Sequence, residues 1–296
     1  MGKEFYISKD QAGRRIDRLL RTMWPQVPLG AIMKALRKGE VRLDAKKVSA
    51  DTRLEEGQFL QTPWNDDAPR ENIPAAIADM EVPPLDTIYR DDYVWIVNKP
   101  AGLLTQPDSK GGDSLITRAL AELKWSRADF HPSTVQRLDR NTSGVVLIAM
   151  SGASQRHLSE LIRERKITKH YRAVVSGDTP DGGRIEFPLL KDPETNIVKV
   201  DKAGQPALSI YKKLSGTGKI SVVDIELVTG RSHQARVHLS ASGFPILGDM
   251  KYGGSGAKRP LLHAYSVTFP DDAELPDSIR GRTFTADIPS DMKKYL

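Results

Sequence analysis

The sequence predicts an α+β protein: a large domain with a mixed, largely antiparallel sheet flanked by helices, preceded by a small α/β domain. Three stretches carry this reading. Residues 221–228, SVVDIELV, alternate Val223, Ile225 and Leu227 with Asp224 and Glu226, the period of a strand with one wetter face. Residues 144–150, GVVLIAM, run apolar without a break behind the turn-rich RNTS, which predicts a buried strand entered from a loop. Near the start, Ile16, Leu19, Leu20 and Met23, and then Leu29, Ile32, Met33 and Leu36, recur at helical spacing.

Taken in order, residues 1–62 read as a small basic domain of two short amphipathic helices, the second stopped by Gly39, followed by short strands around EVRLD, KKVS and GQFLQ. The cations Arg14, Arg15, Arg18, Arg21, Lys34, Arg37 and Lys38 interleave with the apolar positions, so one helical face is core and the other is a basic surface. Residues 63–84 hold five prolines and an acidic excess without periodicity, the composition of a linker. From 85 to 296 strands alternate with short helices. LDTIYRDDYVWIVNKPAGL reads as strand, turn at Arg90–Asp92, strand and loop, and helices are expected in SQRHLSELIRER and SHQARVHLSASG, the latter capped by Ser232.

Composition narrows the chemistry. The chain has no cysteine, which excludes disulfides and thiolate metal ligands, and its six histidines show no metal-ligand spacing, so no metal is expected. The N-terminus lacks the apolar core of a signal peptide and no run approaches the roughly 20 residues of a membrane helix, so a cytoplasmic protein without a membrane partner is expected. Net charge is +6, and residues 1–60 hold 13 Lys or Arg against 8 Asp or Glu. A polyanion such as nucleic acid would account for that local excess, and so would a basic end that merely serves solubility.

Asp139 lies in the turn-rich loop that opens the buried strand. Flanked by Arg137 and Arg140, it should be ionised at neutral pH, which suits a nucleophile or an electrostatic partner better than a general acid. Arg231 stands at a predicted strand-to-helix turn, where helix N-terminal amides and a guanidinium together favour an anion, either Asp139 or an RNA phosphate. Tyr171 falls in a short strand flanked by Lys169, His170 and Arg172. Singly, each has an ordinary explanation: a surface ion pair worth under about 1 kcal/mol, a satisfied helix histidine for His233 or His238, ordinary strand packing for Tyr171.

Together and in order, NKPAGL, RLDRNTSG, KHYRAVV, GRSHQARVHL, GFPILGDMKYG and LLHA resemble the RluA family of RNA pseudouridine synthases, from about Leu85 to Phe269. The resemblance implies the synthase fold for residues 85–296, with Asp139 as catalytic carboxylate, Tyr171 as active-site tyrosine and Arg231 as the arginine that pairs with the carboxylate. It also implies that Arg137 fills the stack vacated by a flipped uridine and that Leu262 lies against the target base, with Gln136 and His233 beside them. Gln136 replaces the family's usual histidine, and Gln106 stands where His-Pro commonly follows NKPAGL. The N-terminal stretch resembles the RNA-binding domain named for ribosomal protein S-four, which would put Arg15, Arg18, Lys34, Arg37 and Lys38 on RNA, although Asp44-Ala45 replaces the usual Asn-Gly. The implied activity turns uridine into its isomer, so no cofactor is expected. The implied partner is RNA, with large-subunit ribosomal RNA favoured and transfer RNA left open, and the protein is expected to be a monomer. Two alternatives stay open: a non-catalytic RNA-binding protein on a synthase fold, and a hydrolase with an aspartate nucleophile, for which His233 is the available base.

Overall fold

A computed structural model describes residues 2–65, 82–108, 112–125 and 130–296. Most of the predicted linker therefore lies outside the described residues. The N-terminal part runs β1 (Glu4–Tyr6), α1 (Ile16–Met23), α2 (Leu29–Lys38), β2 (Arg42–Leu43), β3 (Lys46–Lys47) and β4 (Phe59–Gln61), with the antiparallel strands in the order β1-β4-β2-β3. Its core is its own: Ile16, Leu19, Leu20, Ile32, Leu36, Val41 and Leu60 pack with Trp24. Gly39 ends α2 in the left-handed region. Leu29, expected on the inner face, is 47% exposed, because it opens α2 before the helix reaches the core. Asp44 and Ala45 sit at φ 50° and 62°, the conformation of a two-residue hairpin turn with both central residues left-handed. Thus the departure from Asn-Gly leaves the turn in place, with Asp44 accepting a hydrogen bond from the Phe59 amide.

The remaining chain runs β5 (Thr87–Arg90), β6 (Val94–Lys99), α3 (Leu115–Glu122), β7 (Ser133–Thr134), β8 (Ser143–Ala149), α4 (Gly152–Arg163), β9 (Thr168–Ser176), β10 (Gly182–Ile185), β11 (Leu189–Lys191), β12 (Val198–Val200), β13 (Ser209–Gly216), β14 (Ile220–Leu227), α5 (Gln234–Ala241), β15 (Leu262–Thr268), β16 (Thr283–Thr285) and α6 (Ser290–Lys293). One large sheet orders β10-β13-β14-β9-β15-β8-β6-β5, with β16 on β15 and β7 on β8, while β11 and β12 form a separate hairpin. Its pairings are antiparallel except β8 with β15. The architecture is α+β, as the alternation in β14 predicts.

The unbroken apolar run now has a cause. Val146 and Ile148 of β8 point into one hydrophobic cluster with Trp95, Val97, Val223 and Ile225, and Val145 and Leu147 point into another with Ile96, Leu158, Val267 and Phe269. A central strand covered on both faces leaves no position for a polar residue. At its entrance Gly144 has φ 114°, and a Cβ there would collide with the Ala264 backbone across the parallel pairing. The mouth of β8 is thereby pressed against β15, and Asp139 stands just before it.

Candidate active site

Asp139 sits in the loop joining β7 to β8, and hydrogen bonds from elsewhere brace that loop. The Thr142 amide donates to the Asp139 carbonyl at 3.1 Å, closing a turn. The NKPAGL loop supplies the rest. The Gly102 amide donates to the Arg140 carbonyl at 2.8 Å, and the Thr105 hydroxyl both donates to the Leu138 carbonyl and accepts from its amide. Lys99 is fully buried and its ammonium donates to the carbonyls of Pro100, Leu103 and Arg140. Burial pulls its pKa down to about 7 against the opposing effect of the Asp139 charge.

The geometry corrects the expected partner of this carboxylate. Arg236 donates from Nη1 to Asp139 Oδ2 at 2.8 Å, whereas Arg231 turns its Nε onto the Pro206 carbonyl at 3.1 Å. The predicted cap is also displaced: α5 starts at Gln234, and the residue before it is His233, held at φ 53°, with no side chain capping the helix. The buried Gln234 side chain organises the turn instead, accepting from the Arg231 amide and the Thr229 hydroxyl and donating to the Leu208 carbonyl and Ser209. With the helix set by that turn, Arg236 in its first turn reaches Asp139, while Arg231 lines both the inner cavity and the outer cleft with its Nε on the Pro206 carbonyl.

Arg236 is itself anchored from behind. Its Nε and Nη2 form a fork with Asp249, at 2.7 and 2.8 Å, and Asp249 is 1% exposed. Burial opposes the guanidinium's charge, but the two carboxylates more than offset it and hold its pKa above the usual arginine range. Tyr252 lies under the guanidinium, 5.0 Å from ring centroid to Cζ, and its hydroxyl is 2.6 Å from His233 Nδ1. His233 Nε2 is 3.7 Å from Asp139 Oδ1. Burial lowers the His233 pKa despite that nearby carboxylate, so the ring is neutral at pH 7. One Asp139 oxygen is thus fixed by Arg236, and Oδ1 has no direct hydrogen bond among the described residues.

Asp139, His233, Arg236 and Arg231 line a small inner cavity of about 60 Å³ with Tyr171, Leu262, Leu227 and Arg137. Tyr171 reaches it from β9, paired with Ile225 of β14 and Ala264 of β15. Burial and the Asp139 charge push its pKa up, so it is a neutral phenol and not a base at pH 7. Leu262, 4% exposed, forms an apolar wall. The cavity opens into a cleft of about 510 Å³ whose rim carries Arg137, Arg140, Lys169, Lys191 and Arg231, with Asp139 the one acid among its lining residues. An anionic ligand is favoured outside and a carboxylate waits inside. Gln136 also lines this cleft, and its Oε1 is buried without a hydrogen-bond partner among the described residues. Gln106 donates to the Thr134 hydroxyl at 3.1 Å. Arg15, Arg18, Lys34, Arg37 and Lys38 belong to the N-terminal part, away from this cavity's lining.

Sequence reasoning missed Arg236, Asp249 and Lys99 as contributors. All three lie inside motifs that carried the resemblance, GRSHQARVHL, GFPILGDMKYG and NKPAGL, so the signal was present at the level of the motif.

A largely antiparallel sheet thus places a loop aspartate, held by a helix arginine, at a small cavity walled by a phenol and a leucine, beneath a cationic cleft that favours an anionic ligand. Residues 93–241 match the family model for RNA pseudouridylate synthase. The chain belongs to the RNA pseudouridine synthase family of the RluA type, and it is an enzyme of that class. It is 34% identical over 281 residues to the ribosomal large subunit pseudouridine synthase C of Vibrio cholerae, covering 89% of this chain and 87% of that protein. It is also 34% identical over 287 residues to the protein of the same name in Escherichia coli K12, with the same coverage. Among solved structures it resembles human RNA Pseudouridylate Synthase Domain Containing 4, with a TM-score of 0.57 and 24% identity over 69% of this chain and 89% of that one. That likeness supports the fold.

Proposed function

We propose that the protein converts specific uridines of large-subunit ribosomal RNA to pseudouridine, with Asp139 as nucleophile acting on a base flipped out of its stack. The observation that carries this is the fixed carboxylate: Asp139, held on one oxygen by the anchored Arg236, faces a cavity walled by Tyr171 and Leu262. The ribosomal substrate is favoured by the names of relatives that match nearly the whole chain, and by a basic N-terminal part that we read as an RNA-binding domain of the S-four kind spanning residues 1–62.

In this reading the phosphates of the target nucleotide meet the cationic rim, and the base enters the inner cavity. Unstacking costs a few kcal/mol, which phosphate contacts offset, and Arg137 fills the vacated stack. Asp139 Oδ1 attacks ribose C1′ as the C1′–N1 bond breaks, and uracil leaves as an anion. Tyr171 and Leu262 hold the detached base while it turns. C5 then bonds to C1′ and displaces the carboxylate, after which the C5 proton is lost and N1 gains one. Atoms and charge balance with no cofactor. Neutral Tyr171 serves by packing and hydrogen bonding.

Asp139→Asn retains an acceptor for Arg236 and should fold like the parent while losing pseudouridine formation on a large-subunit RNA transcript by at least roughly 10³-fold. Undiminished isomer formation would overturn the role of Asp139. Deuterium at C2′ discriminates the direct attack from a route in which Asp139 removes the C2′ proton, since only the latter shows a primary isotope effect. Mapping pseudouridine in cellular RNA with and without the gene tests the substrate: loss confined to transfer RNA would replace the ribosomal assignment, and no loss anywhere would favour a non-catalytic binder.

A further inference from the structure

The backbone carbonyls around Asp139 are bonded one after another. The Thr105 hydroxyl donates to that of Leu138, the Thr142 amide to that of Asp139, and the Gly102 amide and Lys99 ammonium to that of Arg140. The next carbonyl, that of Asn141, accepts from Arg259 Nη1 at 3.2 Å. Arg259 comes just before β15, and the same Nη1 also donates to the carbonyls of Pro260 at 3.0 Å and Leu262 at 3.4 Å. One corner of a guanidinium therefore joins the loop that carries the carboxylate to the leucine that walls the inner cavity.

The rest of this guanidinium is fixed from behind. Nε and Nη2 form a fork with the two carboxylate oxygens of Asp291, at 2.7 and 2.8 Å, and Asp291 lies in the short C-terminal helix α6. Its neighbour Met292 is fully buried in the cluster that also holds Leu138, Leu261 and Leu262, so α6 is seated on the same core as the site. The Arg259 backbone presses on the turn that presents Asp249: a Cβ on Gly248, at φ 77°, would collide with the Arg259 carbonyl. The arrangement repeats that of Arg236, whose Nε and Nη2 bind Asp249 while Nη1 points at Asp139. Unlike Arg236, Arg259 is not among the residues lining the inner cavity or the outer cleft.

We propose that Arg259 is a positioning residue for the isomerisation: aimed by Asp291, it sets the spacing between the Asp139 loop and the Leu262 wall. A planar guanidinium with two nitrogens held in a fork has one direction left for the third. Removing it frees the Asn141 carbonyl, close behind Asp139, and the Leu262 carbonyl at the start of β15 together. The carboxylate and the surface against which the base rests then lose their common reference. Arg259 touches no substrate in this arrangement, so its loss slows the chemical step and leaves RNA binding almost as it was. The inference rests on Asp139 as nucleophile and on Leu262 as a wall of the base cavity, and it makes the C-terminal helix part of the support of the site.

The test uses the full chain and follows pseudouridine formation on a large-subunit RNA transcript. Arg259→Met should lower kcat about tenfold or more and leave KM within about threefold of the parent. Arg259→Lys keeps the charge but cannot hold the fork and the carbonyls at once, so its kcat should stay nearer to that of Arg259→Met than to the parent. Asp291→Asn, at a half-exposed position that spares the fold, should lower kcat by a smaller factor, and Arg259→Met/Asp291→Asn should fall no further than Arg259→Met, because Asp291 acts through Arg259. A second readout needs no substrate: in Arg259→Met the Thr142 and Gly102 amides, which bond the loop, should exchange hydrogen about tenfold faster or more, while β9 keeps its protection. A kcat within about twofold of the parent in folded Arg259→Met, a loss carried by KM, or unchanged amide exchange would overturn the positioning role. Full activity in Arg259→Lys, or losses that multiply in the double variant, would overturn the aiming by Asp291. Undiminished activity in Asp139→Asn would instead strike the reading beneath, whereas an inactive Asp139→Asn beside an unimpaired Arg259→Met would remove this inference alone.

Discussion

The pairing of Asp139 with Arg236 makes a prediction that separates stability from catalysis. Arg236→Met removes the partner of two carboxylates with different surroundings: Asp249 is 1% exposed and the Asp139 side chain 33% exposed. Stranding Asp249 dominates the stability cost, about 3–5 kcal/mol for a buried pair broken on one side. Releasing Asp139 costs little stability but removes the constraint on the carboxylate that we propose as nucleophile, and misplacement by about 1 Å is worth roughly 10²-fold in rate. The double variant Arg236→Met/Asp249→Leu replaces the buried fork by apolar groups of similar size and should recover most of the lost stability, because the uncompensated charge is gone. It should not recover turnover. Arg231→Met, which removes a cavity-lining guanidinium whose Nε bonds the Pro206 carbonyl and not Asp139, should raise KM and lower kcat much less than Arg236→Met. Urea denaturation gives the stabilities, and pseudouridine formation on a large-subunit RNA transcript gives kcat and KM. The reasoning fails if the double variant regains kcat together with stability, or if Arg231→Met lowers kcat as far as Arg236→Met does.

Two further predictions concern the framework of the site. His263 is fully buried between the Ser143 hydroxyl and the Ala286 carbonyl, and burial lowers its pKa to about 4. A pKa depressed on folding means that the unfolded chain takes up the proton first, so the stability this group contributes is complete above pH 6.5 and is lost as pH falls towards 4; at pH 5 the loss is about 2 kcal/mol. Urea titrations of the parent and His263→Gln at pH 7.5 and 5 should therefore converge at the lower pH by about that amount, and a constant gap would refute the buried neutral imidazole. Gly144→Ala sets a methyl against the Ala264 backbone at a φ that disfavours side chains, and should cost more than about 2 kcal/mol while displacing the Asp139 loop and lowering kcat. Stability within about 0.5 kcal/mol of the parent would show that the β8–β15 contact is not what seats the loop.

What could be read from the sequence follows the range of the interactions involved. The two N-terminal helices, the buried strand β8 and the loop before it are announced by local patterns: periodicity, turn residues and an apolar run covered on both faces. Asp139 was legible for that reason, since a carboxylate at the mouth of a rigid strand is a local feature. Its partner was not. Arg231 and Arg236 lie five residues apart in GRSHQARVHL, and which of them faces Asp139 is decided by the left-handed His233, by the Gln234 side chain that binds Thr229, Arg231, Leu208 and Ser209, and by Asp249 thirteen residues further on. None of these is a periodicity.

The same contrast explains why the arginine in the site is the one anchored from behind. An exposed arginine meeting a carboxylate at the rim gains under about 1 kcal/mol and leaves both side chains free to turn. Arg236 has spent two of its donors on buried Asp249, so its remaining Nη1 has one direction to point, and Asp139 Oδ2 lies in it at 2.8 Å. Asp249 is in turn held within the turn at 246–254, where its amide donates to the Ile246 carbonyl and its own carbonyl accepts from Tyr252 and Gly254. Orientation thus passes from a backbone turn to a buried carboxylate, to a guanidinium, to the Asp139 carboxylate. Sequence proximity favoured Arg137 and Arg140 as partners for Asp139 and the turn position favoured Arg231, but only an arginine with its own fixed counter-ion can set the direction of the carboxylate it touches.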